Sequence, residues 1–409
     1  MLRAHTVFHC ASVRSLYIHV PFCAAKCHYC AFFSAKPQGD QVDRYVAALV
    51  CELELVAPQF QPKTIFFGGG TPSLLTLAQW DTLLSAMDRL GLTGAGEWTV
   101  ECNPATVSSD KARLLAGYGV NRISMGVQSL DEGLLERLGR VHTRDMVFRS
   151  VEILRSAGIH NLNIDLMFAI PGQTREIWRR TLQEAVALRS EHLSSYEVIY
   201  EEDTALYAQM KAGEFDVDED LACEMYEDLI DIAGAHGFRQ YEVANFARER
   251  PAAPTATITQ TAPAEIPHHA CRHNVNYWRG GEFHGLGPSA AGFIEGVRTK
   301  NWSNTQLYCE QLEKGQRAIE SSDRLSPLAR AGEIAGFGLR MNAGWPLAEF
   351  KETTGFDLRE HWQEAMQTLV AEEHAVVDPE RFALTAKGLR FADRAASLFL
   401  LDPKAAQMA

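Results

Sequence analysis

The sequence predicts an α/β protein, a partial, TIM-like (β/α)6 barrel followed by a small winged-helix-like α+β unit. Apolar, strand-like runs alternate with amphipathic helical stretches between residues 16 and 245, which is the pattern of a parallel sheet with crossover helices. Beyond residue 323 the chain changes to helices, a short strand and a helix opened by Thr385. A doubly wound open sheet is the alternative architecture for the first part.

The six expected strands are short apolar runs, and they are 16–20, 63–67, 97–101, 121–126, 161–167 and 193–199. Helices between them are expected where apolar residues recur at helical spacing, as in 41–57 and 76–90. The C-terminal part has two further helical stretches, 326–342 and 358–372. Functional residues of α/β barrels gather where the strands end, so we expect the site at the C-terminal ends of the strands.

Five segments are expected along the chain. They are an N-terminal extension (1–14), the barrel (15–248), a flexible insertion (249–269), a connecting segment (270–322) and the C-terminal unit (323–409). The insertion is rich in Pro, Ala and Thr and has no apolar periodicity. Such a composition is typical of a surface linker without a packed core.

Composition and charge exclude several classes of protein. A net charge of −13 argues against nucleic acid as a partner, because phosphate binding needs a basic surface. No run approaches the roughly 18 apolar residues of a transmembrane helix. The first residues lack the apolar core of a secretory signal, but their arginines leave an organellar targeting segment open. Nine cysteines, three of them clustered, indicate a reducing compartment, and we expect a cytoplasmic protein.

The most informative motif is C-x3-C-x2-C, formed by Cys23, Cys27 and Cys30. Three thiolates can bind one face of a [4Fe–4S] cube and leave one iron open, which is typical of a catalytic or ligand-binding site. A zinc site with His28 or His19 as the fourth ligand is the alternative, although zinc knuckles usually use C-x2-C pairs. A disulfide is less favoured, because three closely spaced thiols cannot pair off.

A second motif is an apolar strand that runs directly into three glycines, in TIFFGGGTPS. Glycine lets the backbone approach a ligand closely. The spacing fits neither a dinucleotide fingerprint nor a P-loop. Free amides and carbonyls at a strand end suit the amino and carboxylate groups of a ligand, whereas a plain strand-to-helix turn is the alternative.

Polar residues interrupt or end three further apolar runs, namely Glu101, Gln128 and Asp165. A single acid at such a place is most often a cap or a structural hydrogen-bond acceptor. Three at successive strand ends are better explained by a shared ligand. Arg140, in LGRVH, can bind a carboxylate through two hydrogen bonds, or it lies at a helix end as a solvated charge.

The cysteine spacing resembles that of the radical S-adenosylmethionine (SAM) superfamily. In that superfamily the open iron of the cluster chelates SAM, and one electron breaks a carbon–sulfur bond to release a 5′-deoxyadenosyl radical. A narrower resemblance is to the branch that contains oxygen-independent coproporphyrinogen III oxidase and the HemW heme chaperones. It is carried, in this order, by YIHVPFCAAKCHYC, IFFGGGTPS, ECNP, NRISMGVQSL, LGRVH and NIDLMFAIPGQT.

The resemblance implies roles for individual residues. The ligands of a [4Fe–4S] cluster would be Cys23, Cys27 and Cys30. The residues in contact with the cluster-bound SAM would be Tyr17, Gly69 and Glu101. A second SAM position, where the oxidase has one, would be lined by Gly70, Thr71, Gln128, Arg140 and Asp165, with Tyr29 packed beside it.

Three features favour HemW over the oxidase. The oxidase pattern has another cysteine where this chain has Phe32, and it has a longer segment ahead of the cluster, where this chain has 22 residues. His273, Tyr277 and Trp278 form an HNxxYW motif, which resembles that of HemW proteins. Imidazole is a natural ligand for heme iron, and Tyr and Trp can pack on a porphyrin. An ordinary strand with a hydrogen-bonded histidine is the alternative.

One departure concerns the iron ligand. HemW relatives commonly show GAHG near this motif, but this chain has Ser289-Ala-Ala-Gly292. If the missing histidine serves heme, another imidazole must replace it. The candidates are His273, His284 and the pair His268–His269.

The resemblance thus implies a protein that binds a [4Fe–4S] cluster, SAM and heme, takes an electron from a donor and transfers heme to acceptor proteins. SAM cleavage would be regulatory or catalytic, which leaves enzymatic activity open. Oxygen-independent coproporphyrinogen III oxidase is the alternative function, which the cysteine pattern disfavours. A zinc-stabilised binding module is a third hypothesis.

Overall fold

The computed structural model describes residues 15–59, 61–249 and 266–400. The expected N-terminal extension 1–14, and residues 250–265 of the expected insertion, lie outside these described residues. Whether the five segments have the expected boundaries therefore stays a prediction.

Fifteen strands lie in the described ranges. Numbered along the chain, they are β1 Ser15–Val20, β2 Thr64–Gly69, β3 Glu97–Cys102, β4 Arg122–Gln128, β5 Asn161–Phe168, β6 His192–Glu197, β7 Phe238–Gln240, β8 Asn245–Arg248, β9 Phe283–Leu286, β10 Ala291–Ile294, β11 Val297–Asn301, β12 Ile319–Arg324, β13 Trp345–Pro346, β14 Ala375–Val377 and β15 Arg381–Leu384. The six strands expected from the sequence correspond to β1–β6, with shifts of at most two residues at either end.

Sixteen α-helices lie in the same ranges. They are α1 Gln41–Val56, α2 Leu77–Arg89, α3 Ser109–Tyr118, α4 Glu132–Arg137, α5 Arg144–Ser156, α6 Arg175–Ala187, α7 Ala205–Lys211, α8 Glu219–Ala235, α9 Arg272–Trp278, α10 Thr305–Glu313, α11 Pro327–Leu339, α12 Leu347–Thr354, α13 Leu358–His361, α14 Gln363–Ala371, α15 Ala386–Leu389 and α16 Ala392–Ser397. None of these helices has the length and hydropathy needed to cross a bilayer.

A single sheet contains β1 to β12, in the spatial order β12-β11-β10-β9-β1-β2-β3-β4-β5-β6-β8-β7. Neighbours from β1 to β6 are parallel and follow the chain order, so the expected partial barrel is confirmed. Strand β9 pairs with β1 in parallel, and β10 to β12 continue as an antiparallel extension. This extension was not expected, because its strands are short and mostly polar.

The barrel strands are amphipathic across the sheet, as β3 shows. Trp98 and Val100 are fully buried in the apolar core between sheet and helices. The alternate residues of β3 are Glu97, Thr99 and Glu101, and they face the inside of the barrel because side chains alternate along a strand. Polar side chains therefore form two separate sets inside the barrel, one at each end of the strands.

The C-terminal unit has a sheet and a core of its own. Its three antiparallel strands lie in the order β13-β15-β14, and its core includes the fully buried Trp345 and Phe382. As expected, Thr385 opens a helix, because its hydroxyl accepts a hydrogen bond from the Gly388 amide.

The expectation of one helix over 358–372 is wrong. The chain breaks at Trp362 (φ −127°, ψ 30°), whose indole donates to the Phe399 carbonyl.

Candidate functional site

A cavity of about 450 Å³ opens at the C-terminal ends of the barrel strands. It is where we expect the site of an α/β barrel. Eleven of the residues singled out in the sequence line it, and they are Cys23, Cys27, Tyr29, Cys30, Gly69, Gly70, Thr71, Glu101, Gln128, Arg140 and Asp165. Four others do not line it, namely Tyr17, His273, Tyr277 and Trp278.

The three motif cysteines lie on a loop that follows β1. Backbone hydrogen bonds close the base of this loop, from the Cys23 amide to the Ala35 carbonyl (3.1 Å) and from the Ala35 amide to the Pro21 carbonyl (2.9 Å). The Thr71 hydroxyl donates to the Cys23 sulfur over 3.4 Å. The loop is therefore attached both to its own strand and to the glycine turn after β2.

Arg140 supplies the positive charge of the cavity. Its guanidinium donates to the Cys27 sulfur over 3.5 Å and to the Gly126 carbonyl. Burial raises the pKa of the neighbouring Cys30 thiol. A guanidinium beside a thiol favours the thiolate, which is the form that binds metal.

The geometry does not support a single zinc ion. His19 donates from Nε2 to the Phe33 carbonyl (2.8 Å), and its Nδ1 accepts from the Tyr17 hydroxyl (3.0 Å). His28 donates from Nδ1 to the Arg137 carbonyl (3.0 Å). Among the described residues, no three Cys, His, Asp or Glu side chains converge on a point where one metal ion could be held. All three thiols line one cavity of about 450 Å³, which has room for a group larger than one ion.

The glycine turn is required by close packing. Gly69 has φ +101°, and a Cβ there would lie 2.5 Å from the His19 ring. A Cβ on Gly70 would lie 2.6 Å from the Phe22 carbonyl oxygen. Both distances are too short for any side chain. The glycines thus allow the end of β2 to lie against the start of the cysteine loop.

Two carboxyl groups, those of Glu101 and Asp165, line the same cavity. Asp165 accepts hydrogen bonds from Asn163 (2.7 Å) and Ser124 (3.1 Å), and burial raises its pKa. Burial and the charge of Asp165 together raise the pKa of Glu101 to about 8, although the Gly69 amide and Arg122 oppose the shift. A cationic ligand would relieve the repulsion between these carboxylates, so the cavity favours a ligand with positive groups.

Gln128 ends β4 in an unusual conformation. Its φ is +66°, and the pairing of β4 with β5 shifts register between Gly126 and Gln128. A non-glycine residue with positive φ stores strain, and such residues often occur at functional sites. The bulge brings Gln128 to the wall of the cavity.

Tyr17 lies in β1 behind the glycine turn rather than at the cavity surface. Its hydroxyl donates to His19, and burial raises its pKa, so the phenol stays neutral. The pair therefore connects β1 to Phe33, at the far side of the cysteine loop. The structure makes Tyr17 a support of the loop.

The HNxxYW motif lies at the opposite end of the barrel, in α9. The carboxylate of Glu97, the first residue of β3, accepts from the Arg272 and His273 amides at 2.9 Å each. His273 donates from Nδ1 to Thr64, the first residue of β2 (2.9 Å), and its Nε2 accepts from Tyr277 (2.6 Å). Burial and Arg122 lower the pKa of His273 to about 3. The motif helix thus closes the N-terminal end of the barrel.

The other candidate imidazoles lie in different surroundings. His284 is buried in β9. His268 is exposed and His269 half-buried, with ring centroids 4.8 Å apart. None of these rings lines the cavity of the cysteines.

Several residues of the cavity were not singled out in the sequence. Ser124 holds Asp165, while Tyr196 and Ile199 stand at the rim, 43% and 67% exposed. Phe32, noted only for the absence of a cysteine, is 69% exposed at the same rim. Ser124 lies between the apolar residues Ile123 and Met125 of β4, and this alternation could have predicted that its side chain faces the inside of the barrel. Tyr196 lies near the end of β6, whereas Phe32 and Ile199 lie in loops, where periodicity gives no signal.

Comparisons with known proteins agree with this architecture. Residues 17–185 match the model of the radical SAM superfamily, and residues 325–391 match that of the HemN C-terminal domain. The heme chaperone HemW of Lactococcus lactis is 32% identical over 95% of this chain and 97% of its own. The chain belongs to the HemW family of radical SAM proteins.

Two further relatives complete the comparison. The heme chaperone HemW of Bacillus subtilis is 35% identical over 85% of this chain and 88% of its own. Among solved structures, coproporphyrinogen III oxidase (HemN) from Escherichia coli covers 95% of this chain and 90% of its own, with a TM-score of 0.79 and 21% identity. At that identity the oxidase supports the fold of the HemW-family chain and says nothing of its reaction.

Proposed function

We propose that this chain binds a [4Fe–4S] cluster, SAM and heme, and that it transfers heme to acceptor proteins. The observation that carries the first part is the shared cavity, which three thiols, the glycine turn and two carboxyls line at one end of the barrel. The heme part rests on the names of the relatives, which are heme chaperones, and on the HNxxYW motif.

In this proposal Cys23, Cys27 and Cys30 hold the cluster, which when bound supplies an open iron and an electron from an outside donor. The residues of the chain provide the rest. Gly69 lines the cavity with its backbone, and the absence of a Cβ lets this end of β2 pack against the His19 ring. Glu101 binds the ammonium group of SAM, and Arg140 neutralises the thiolate of Cys27.

Heme is proposed to bind at α9, away from the cluster. Glu97 and Glu101 stand at the two ends of β3, which separates them by roughly 13 Å at about 3.3 Å per residue. A heme at α9 is thus kept apart from the cavity by the depth of the barrel. This separation suits a carrier of heme, since the porphyrin would not be exposed to radical chemistry.

His273 can bind iron only after one of its two side-chain hydrogen bonds is broken. Both of its ring nitrogens make hydrogen bonds in the described conformation. The low pKa of about 3 keeps the imidazole neutral, as an iron ligand must be. Ligation through Nε2 would replace the hydrogen bond from Tyr277, and Nδ1 would keep Thr64 as the partner that orients the ring.

Titration with heme tests the proposal. Anaerobically reconstituted protein should bind about one heme per chain. His273→Ala together with Trp278→Ala should weaken binding at least tenfold, which corresponds to about 1.4 kcal/mol. His160→Ala, an exposed imidazole on the barrel surface, is the matched control and should bind as the wild type does. Failure of the wild type to bind heme would overturn the proposal.

A further inference from the structure

The C-terminal unit covers α9, the helix that carries HNxxYW. Arg340, which follows α11, lies 5.6 Å from the Trp278 ring centroid. Arg279, directly after α9, donates to the Gly344 carbonyl (2.9 Å) and stacks over the Trp345 ring (4.6 Å). The motif helix is therefore contacted by the barrel on one side and by the C-terminal unit on the other.

An ion pair fastens this contact. Arg340 donates from Nε to the Glu242 carboxylate over 2.8 Å, and the side chain of Glu242 is fully buried. Two backbone hydrogen bonds lie beside the pair, from the Val243 amide to the Arg340 carbonyl (3.2 Å) and from the Asn342 amide to the Tyr241 carbonyl (3.0 Å). Together they form a short bridge between the barrel and the C-terminal unit.

The apolar cores of the two units do not merge. The core of the C-terminal unit consists of residues between 331 and 399, and from the barrel Val243 alone among the described residues packs against it. Helix α11 also packs against α9, with Ile334 beside Gly280. Several further contacts are made by arginines, as in Arg330 over the Phe293 ring and Arg298 with Glu333. Interfaces of this polar kind between domains permit relative motion, in contrast to a shared hydrophobic core.

From this arrangement we propose that the C-terminal unit is a lid over the motif helix, fastened by Arg340 and Glu242, and that heme reaches α9 only when the lid opens. The proposal rests on the proposed heme site. Opening leaves the C-terminal core intact, because that core is self-contained. It exposes the face of Trp278 that Arg340 now covers. Heme uptake then depends on the fraction of molecules with an open lid, as in any binding that selects a minor conformation.

Variants of the Arg340–Glu242 ion pair test whether the C-terminal unit acts as a lid. Arg340→Met removes the charge and its contact with Trp278. Glu242→Gln is milder, because Gln can still accept from the Ala244 and Asn245 donors that Glu242 now binds. Arg394→Met is the matched control, since its ion pair with Glu372 lies within the C-terminal unit. Stopped-flow heme uptake and amide hydrogen exchange of residues 272–278 are measured in each.

The expected result is at least fivefold faster heme uptake in Arg340→Met and Glu242→Gln, with faster amide exchange in 272–278, and neither change in Arg394→Met. Faster exchange with unchanged heme uptake would overturn the lid. Unchanged exchange in both variants would also overturn it, because the pair would then not fasten the helix. Heme titration of the wild-type protein tests the heme site separately from the lid. If the wild type binds no heme, the proposed function has failed, whatever the variants show.

Discussion

Single residues set the electrostatics of the cavity. Glu101 and Asp165 line one cavity, and the charge of Asp165 acts on Glu101. Arg140 donates hydrogen bonds to Cys27 and to the Gly126 carbonyl in β4. Each of these side chains is neutralised only in part by the protein. The cavity is therefore prepared for a ligand that carries both amino and carboxylate groups.

Replacing the motif cysteines tests the cluster ligands. Cys23→Ala, Cys27→Ala and Cys30→Ala should each lose the cluster, because each removes one of three thiolates. Cys51→Ala and Cys223→Ala are matched controls, since both residues are free, exposed cysteines on helices, and they should retain it. Iron and sulfide analysis with anaerobic absorbance measures the outcome. A complete cluster in Cys27→Ala would contradict the assignment.

The raised pKa of Glu101 predicts a pH dependence of SAM binding. With a pKa of about 8 the carboxyl is protonated at neutral pH and must release a proton before it pairs with an ammonium group. Each pH unit below 8 should therefore weaken binding by about tenfold, because one proton is released per ligand. Glu101→Gln should bind SAM weakly and with little dependence on pH. Equilibrium dialysis between pH 6 and 8 measures this, and equal slopes in the two proteins would refute the role.

At the scale of elements, regular segments were predictable and contacts between distant segments were not. Strands β1–β6 carry apolar residues mostly at alternate positions and lie between helical stretches, so periodicity located them. The break at Trp362 was missed, because the apolar spacing continues through it and only the partner carbonyl of Phe399 explains it. The cavity residues at strand ends could be predicted from the sequence, because the C-terminal ends of parallel strands lie at the same edge of the sheet. His19 supports the cysteine loop through a hydrogen bond to the Phe33 carbonyl, 14 residues further along the chain, and no local sequence pattern reveals such a partner.

The motif helix α9 is held at its N-terminus by Glu97, and this predicts its stability. Glu97→Ala removes two hydrogen bonds to a charged acceptor. Local opening of α9 should become easier by about 2–3 kcal/mol, or roughly 30- to 150-fold faster amide exchange in 272–278. Glu54→Ala, which breaks an exposed ion pair with Arg89, is the control and should change exchange there less than twofold. Equal exchange in both variants would exclude the capping role.

On the scale of the whole molecule, two sites lie at opposite ends of one barrel. The cysteine cavity lies at the C-terminal ends of the strands, and α9 lies at their N-terminal ends beneath the C-terminal unit. The sequence indicated both sets of residues but not their separation. The order of the six barrel strands could not supply it, because α9 belongs to a segment that follows the six barrel units.

The most direct test of the central claim, that this is a heme carrier and not an oxidase, is a paired assay on one anaerobic, cluster-reconstituted preparation. Half is titrated with heme, and half is incubated with coproporphyrinogen III, SAM and a reductant. Coproporphyrinogen III oxidase from Escherichia coli serves as the positive control for turnover. The account predicts about one heme bound per chain and no protoporphyrinogen. Steady formation of protoporphyrinogen, without saturable binding of heme, would contradict it.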